Sequence, residues 1–373
     1  MKAPKVLIFS FYIVLLMLYG CSTTNHAVLP KQAYHDITSH YNAYFNTHEK
    51  LKDVFKLSET SHKDKFDSVL PVYYYNDPKE FASYTGDLDD VVKHSTLAIQ
   101  LHMPSNWTDD HFLQIGECDY LKGDYDKASN SFKYITTEFK EGVDYVKVMK
   151  KLGKKVGKYV HGKKPNIKPE VKVVINKDGV QTLEKVDKRP SVSIWIHTPA
   201  RSMALVWLIK TYTRQKKYDQ ASSIVTYVRN DDLFYRNFDP DLDLAEADLK
   251  VSRKDYAGAI APLESYVDAK KFKKHKHRVV RQRFVLAQCY QATGNAKKAI
   301  DNYKLVLKSN PTTEMEFYAK LKLAKLSRAS ADNDDDVKTL LTKMSRDKRY
   351  RDYWDQVYYE LALLALNENK RDD

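Results

Sequence analysis

Glycine and proline are scarce in this chain, 11 and 12 of 373 residues. So few helix breakers exclude a turn-rich β fold and favour long helices. Long apolar runs are scarce as well. Val6–Tyr19 is the clearest, and it falls short of the roughly 20 residues needed to span a bilayer. Cysteine occurs three times, at Cys21, Cys118 and Cys289, too few for a disulfide scaffold. Catalytic motifs are missing too. No Ser-His-Asp order, nucleophile elbow or phosphate-cradling loop is present.

Metal motifs fare no better. His275 and His277 stand among lysines that would repel a cation. His35 and His40 are five apart, not the four that stack two residues on one helical face. Asp332–Asp336 superficially resembles a calcium loop but has no turn glycine, and Lys343 replaces the bidentate glutamate. It reads as the acidic start of a helix, favoured there by the helix dipole. The chain is therefore expected to be no enzyme, with no catalytic, cofactor-binding or metal-binding residues and no small-molecule substrate.

What is present starts at the N-terminus. Two lysines, the apolar run and Leu18-Tyr19-Gly20-Cys21 form a secretory signal that ends in a lipobox. Residues 1–20 read as a lipoprotein signal peptide, and Cys21 as the lipidated residue of the mature chain. Residues 21–33 read as a tether. No acidic cluster follows Cys21, which favours the inner leaflet of the outer membrane, facing the periplasm. The formal charge of +13 falls to +11 once Lys2 and Lys5 are removed. An exported lipoprotein meets no nucleic acid, so this charge points to anionic headgroups, lipopolysaccharide or an acidic protein.

The body carries internal repeats. Gly123-Asp124-Tyr125-Asp126-Lys127-Ala128, Lys217-Tyr218-Asp219-Gln220-Ala221, Lys254-Asp255-Tyr256-Ala257-Gly258-Ala259 and Gly294-Asn295-Ala296-Lys297-Lys298-Ala299 are variants of one pattern. The pattern is that of a tetratricopeptide repeat, two antiparallel helices with small residues where they cross. Gly116, Ala247 and Ala287 hold the first crossing position, and Ala128, Ala259 and Ala299 lie twelve residues on. Tyr212 and Tyr290 are aromatic wedges, and Pro311 ends the fullest repeat, Phe284–Pro311. Cys118 and Cys289 each follow a crossing residue by two positions, in separated repeats. They read as buried core residues rather than a disulfide pair.

The expected fold is all-α, a tetratricopeptide-repeat α-solenoid with a basic insertion. The N-terminal helical region is 34–140, the insertion 141–198 and the repeat array 199–373. Glu141–Pro190 holds 14 Lys plus Arg against 6 Asp plus Glu. Within it, Glu170–Ile175 and Val180–Glu184 flank Asn176-Lys177-Asp178-Gly179, a β-hairpin signal. The insertion reads either as a solvated loop or as a partner-docking element. A second basic stretch, Lys270–Arg283, contains Lys271, Lys273, Lys274, Lys276, Arg278, Arg281 and Arg283. It reads either as a positive ridge for an acidic partner or as a solubilising linker and helix face. At the other end, Tyr358–Leu366 reads as the first helix of a further repeat, with Ala362 at the crossing position. Asn367–Asp373 reads as its turn, so the array is expected to be truncated, with an uncovered, frayed end from about Tyr353.

Some segments are more specific than the repeats. Tyr34–Asn46, with its Tyr41-Asn42-Ala43-Tyr44-Phe45-Asn46, leads to Ser61–Asp64 and Leu70-Pro71-Val72-Tyr73. Pro104-Ser105-Asn106-Trp107-Thr108-Asp109-Asp110, Phe132–Ile135, Leu286–Tyr290 and Asn310–Lys320 follow. Together they resemble the tetratricopeptide lipoproteins of the type IX secretion system, the SprE/PorW family. The resemblance covers nearly all of the mature chain, least of all Glu141–Pro190. It implies a periplasmic, outer-membrane lipoprotein that links the secretion-machine ring to the translocon for protein export and gliding motility. It implies no catalytic residues. Two rival classes share the repeat: a nutrient-binding lipoprotein of the SusD type, and an outer-membrane assembly factor resembling BamD.

Overall fold

The computed structural model describes residues 29–103, 105–139, 171–175, 181–185, 199–231, 233–272, 276–329 and 334–371. The segment read as a signal peptide, Cys21, Lys273, Lys274 and most of the insertion lie outside the described residues. Two compact bodies are formed. One comprises the residues up to His62 with Tyr75–Asp239, the other Lys63–Tyr74 with Pro240–Asp373.

In the first body, α1 (Leu29–Thr38) passes through a π-helical turn, Ser39–Tyr44, into α2 (Phe45–Ser61). Next come α3 (Thr85–His102), α4 (Thr108–Leu121), α5 (Tyr125–Glu138), α6 (Arg201–Arg214) and α7 (Tyr218–Arg229). From α2 onward, each helix packs on the next. In the second body, α8 (Asp239–Ser252) and α9 (Tyr256–Val267) precede α10 (Val280–Ala292) and α11 (Ala296–Leu307). They are followed by α12 (Thr313–Ala329), α13 (Asp334–Arg346) and α14 (Trp354–Arg371), and from α9 onward each helix again packs on its successor. Asp334 opens α13, as the acidic run suggested.

The repeats share one backbone turn. Gly123, Lys216, Lys254 and Gly294 all have positive φ, between 59° and 84°. Each stands five residues before a fully buried alanine: Ala128, Ala221, Ala259 and Ala299. The next residue's N–H donates back five positions: Asp124 to Asp119, Lys217 to Tyr212, Asp255 to Lys250, Asn295 to Tyr290, at 2.8–2.9 Å. Such a bond, with a left-handed residue just before its donor, ends a helix by satisfying its orphan carbonyls. The crossing residues are small because the facing helix leaves no room. A Cβ on Gly116 would lie 2.5 Å from Cε1 of Phe132. In the α6–α7 hairpin the equivalent position is Ile209, also fully buried.

The insertion leaves the helical packing uninterrupted, for α5 packs directly on α6. Phe132 stacks on Trp207 at 6.1 Å and 16° between planes. The first body therefore continues through α6 and α7 to Asp239. Within the insertion, β1 (Val171–Ile175) and β2 (Gln181–Lys185) pair antiparallel, with Val173 opposite Leu183. Residues 176–180, where the turn was expected, lie outside the described residues.

The C-terminal helix corrects two expectations. α14 runs on through Asn367 to Arg371, where a turn was expected. Asn369 stands where the other hairpins place their left-handed residue, but no Gly or Pro interrupts this segment. Nor is the helix uncovered. Val357 and Leu364 are buried in a cluster with Phe317, Leu321, Leu341, Met344 and Tyr350. Glu360, almost wholly buried, is held by Lys325 and Arg328 of α12, both at 3.1 Å. Ala362 is exposed, as are Tyr358, Tyr359 and Leu366.

Candidate functional site

The two most specific sequence segments meet in the first body. The carboxylate of Asp36 accepts three bonds: Ser105 Oγ at 3.1 Å, Asn106 N at 2.7 Å and Asn106 Nδ2 at 2.9 Å. One acid thus holds the loop that precedes α4. The π turn then sets the next contacts. Its extra residue per turn is marked by the Phe45 N–H donating to the His40 carbonyl, five positions back. His40 tilts onto Trp107 with ring centroids 4.0 Å apart, and Tyr44 lies 4.8 Å from the same indole. Ser39 Oγ bonds His111 Nε2 at 3.1 Å, and Thr47 Oγ1 donates to Gln114 Oε1 at 2.8 Å. His35 and His102 face each other through Nδ1 atoms 3.0 Å apart, so one ring must be the donor and the other neutral at that atom.

The paired acids after Trp107 have a structural task. Asp109, buried, accepts the Ala200 N–H at 2.8 Å. Ala200 is the N-cap residue of α6 and has no side-chain cap of its own. Asp109 therefore supplies from α4 the acceptor for the N-cap N–H that an N3 glutamate provides in a capping box, and its charge suits the positive helix end. It fixes the point at which the chain returns from the insertion. Beside it, Arg201 and Asp231 form a buried pair at 2.7 Å, with a second Arg201 nitrogen on the Tyr227 hydroxyl.

Polar groups inside this body are tuned by burial. Glu117 is raised to about 7, chiefly by burial, against the opposing pull of Lys210 and a bond from Trp207. Lys210 sits 3.6 Å above the Trp207 ring and donates to the Tyr75 hydroxyl at 3.1 Å. The phenol of Tyr44 is pushed up by burial, then by Asp110, Glu117 and Asp109. Burial, with a smaller effect of His102, lowers His111 to about 4, against Asp109. Among the described residues, no group of three or more His, Cys, Asp and Glu is placed to hold a metal ion.

The second body shows what becomes of the basic stretch. Arg281 is not part of an exposed ridge. Its guanidinium bonds Asp64 at 2.5 Å and the carbonyls of Pro71 and Val72. Gln288 completes this clasp from within, accepting from Leu70 N at 2.9 Å and donating to the Ser68 carbonyl at 2.8 Å. The physical reason is that Lys63–Tyr74 packs here without helix ladder partners, and buried carbonyls need donors. Lys271 pairs with Asp241 at 3.3 Å, Arg278 is exposed, and Lys276 begins a short 3-10 turn.

Both cysteines away from the lipobox are free and buried. Burial raises their thiols, that of Cys289 to about 12. Sequence reasoning found the two segments that meet around Trp107 but not their contact, nor the clasp on Lys63–Tyr74. No helix among the described residues is long and apolar enough to cross a membrane. No family model matches this chain, and no curated protein matches it either.

Proposed function

We propose that this chain is a periplasmic scaffold lipoprotein of the type IX secretion system, anchored through Cys21 to the outer membrane. Its helical hairpins are read as tetratricopeptide repeats, which offer surface for protein partners rather than a reaction site. The partners follow from the resemblance: the ring of the secretion machine and the outer-membrane translocon. One observation carries the reading. The segments that resemble the family, Tyr34–Asn46 and Pro104–Asp110, are the two that pack on each other around Trp107. Their unusual residues thus act as a unit in this chain. The common left-handed turn before Ala128, Ala221, Ala259 and Ala299 supports the repeat reading. No catalytic role, cofactor or nucleic acid enters the proposal.

The test is genetic and biochemical. Deleting the gene should leave type IX cargo inside the cell, and the wild-type chain should restore its export. Cys21→Ala should not, and it should leave the outer-membrane fraction. Normal export in the deletion strain would overturn the proposal.

A further inference from the structure

The helix that zips onto Trp107 has a second face. Asp36, Ser39, His40, Tyr44 and Thr47 point inward and are all engaged. This fixes the rotation of the helix about its axis. Opposite them, Tyr34, Ile37, Tyr41 and Phe45 are spaced three, four and four residues apart, which lines them along one face. Their exposures are 52%, 60%, 65% and 52%. The patch goes on beyond this helix. Leu101 and Met103, 60% and 54% exposed, flank His102, whose ring centroid lies 6.1 Å from that of Tyr34. Single exposed apolar residues are ordinary, but a contiguous set on one face marks a contact surface.

We infer that this face lies on the lipid bilayer, as an interfacial contact that seats the first body against the membrane. The inference rests on the anchor proposed at Cys21. Leu29, the first residue of α1, stands eight residues after Cys21, a reach of at most about 28 Å of extended chain. An acylated Cys21 therefore holds the Tyr34 end of the stripe within reach of the headgroups. The side chains suit that depth: tyrosine at the interface, Ile, Phe, Leu and Met below it. One face of the helix thus reads the protein and the other the membrane, and the anchor and the stripe act together.

The probe is a bimane label on Tyr41→Cys in the lipidated full chain, reconstituted in vesicles of phosphatidylethanolamine and phosphatidylglycerol with doxyl-labelled lipid. Cys118 and Cys289 are buried and will not react, and acylation blocks Cys21. Quenching should be at least threefold greater at Tyr41→Cys than at Lys127→Cys, on the exposed surface of α5. In a second arm, the mature chain with Cys21→Ser is floated with the same vesicles. Adding Tyr34→Ser, Ile37→Ser, Tyr41→Ser and Phe45→Ser should lower partitioning at least tenfold and leave the helical signal unchanged. Equal quenching at the two labels, or equal flotation of the two chains, overturns the inference. So does a concentration-dependent dimer that the serine variant abolishes, which would make a second copy the occupant. The mass of the N-terminal peptide reports acylation separately. An unacylated Cys21 defeats the anchor alone, while flotation still decides the face.

Discussion

At the scale of single residues, Lys216 and Lys254 are the most instructive. They adopt the left-handed conformation that Gly123 and Gly294 adopt at the same place in the repeat. For a residue with a Cβ this conformation costs roughly 1 kcal/mol. Lys216→Gly and Lys254→Gly should therefore each stabilise the protein by about 0.5–1 kcal/mol, read as a raised urea midpoint. Gly116→Ala should act the other way. Its methyl would press on Phe132, and overpacking of this kind costs about 1–3 kcal/mol.

His111 makes stability depend on pH. Its folded pKa, about 4, lies below the ordinary value of 6.5, so the unfolded chain binds the proton more readily. The contribution is complete above about 6.5, falls as pH drops, and stops falling below about 4. At full size it amounts to about 3 kcal/mol. His102, lowered by burial and by His35, adds to the same trend. Urea unfolding between pH 7 and 4.5 should show the loss, and His111→Gln should flatten it. The sequence displayed the small crossing residues openly, since spacing alone reveals them. It hid Lys216 and Lys254, because lysine carries no signal for positive φ and only the shared turn imposes it.

At the scale of elements, the account depends on side chains that act where helix ladders stop. Asp109 caps α6 from another helix. Asp109→Ala should cost about 1–3 kcal/mol by leaving the Ala200 N–H buried without an acceptor, and amide exchange at the start of α6 should rise before that of α7. Arg281 and Gln288 hold Lys63–Tyr74 in the second body. Gln288→Leu should raise exchange at Leu70 in particular while α10 stays protected. None of these pairings was legible. The partners of Gln288 lie about 220 residues away in sequence, and a single sequence contains no signal for such distances. The ends of α14 were misjudged for a related reason. Its apolar pattern was clear, but the ion pairs from Lys325 and Arg328 that bind Glu360 against α12 were not. Amide protection through Leu364 is the outcome this packing requires.

At the scale of the whole molecule, composition and repeat period were enough to predict helices stacked in sequence. They could not show that α5 meets α6 across the insertion, because that contact depends on Phe132 and Trp207 coming together in space. With the anchor proposed at Cys21, the stacked hairpins and the unit around Trp107 are proposed to form a tethered surface for other proteins. The most direct measurement is crosslinking in living cells, followed by capture of the lipidated chain from outer membranes and mass spectrometry of what comes with it. Ring and translocon proteins of the type IX machine, lost from the capture when Cys21 is Ala, are the predicted result. A barrel-assembly protein or a nutrient transporter as the dominant crosslinked partner, with no secretion component, would contradict the account.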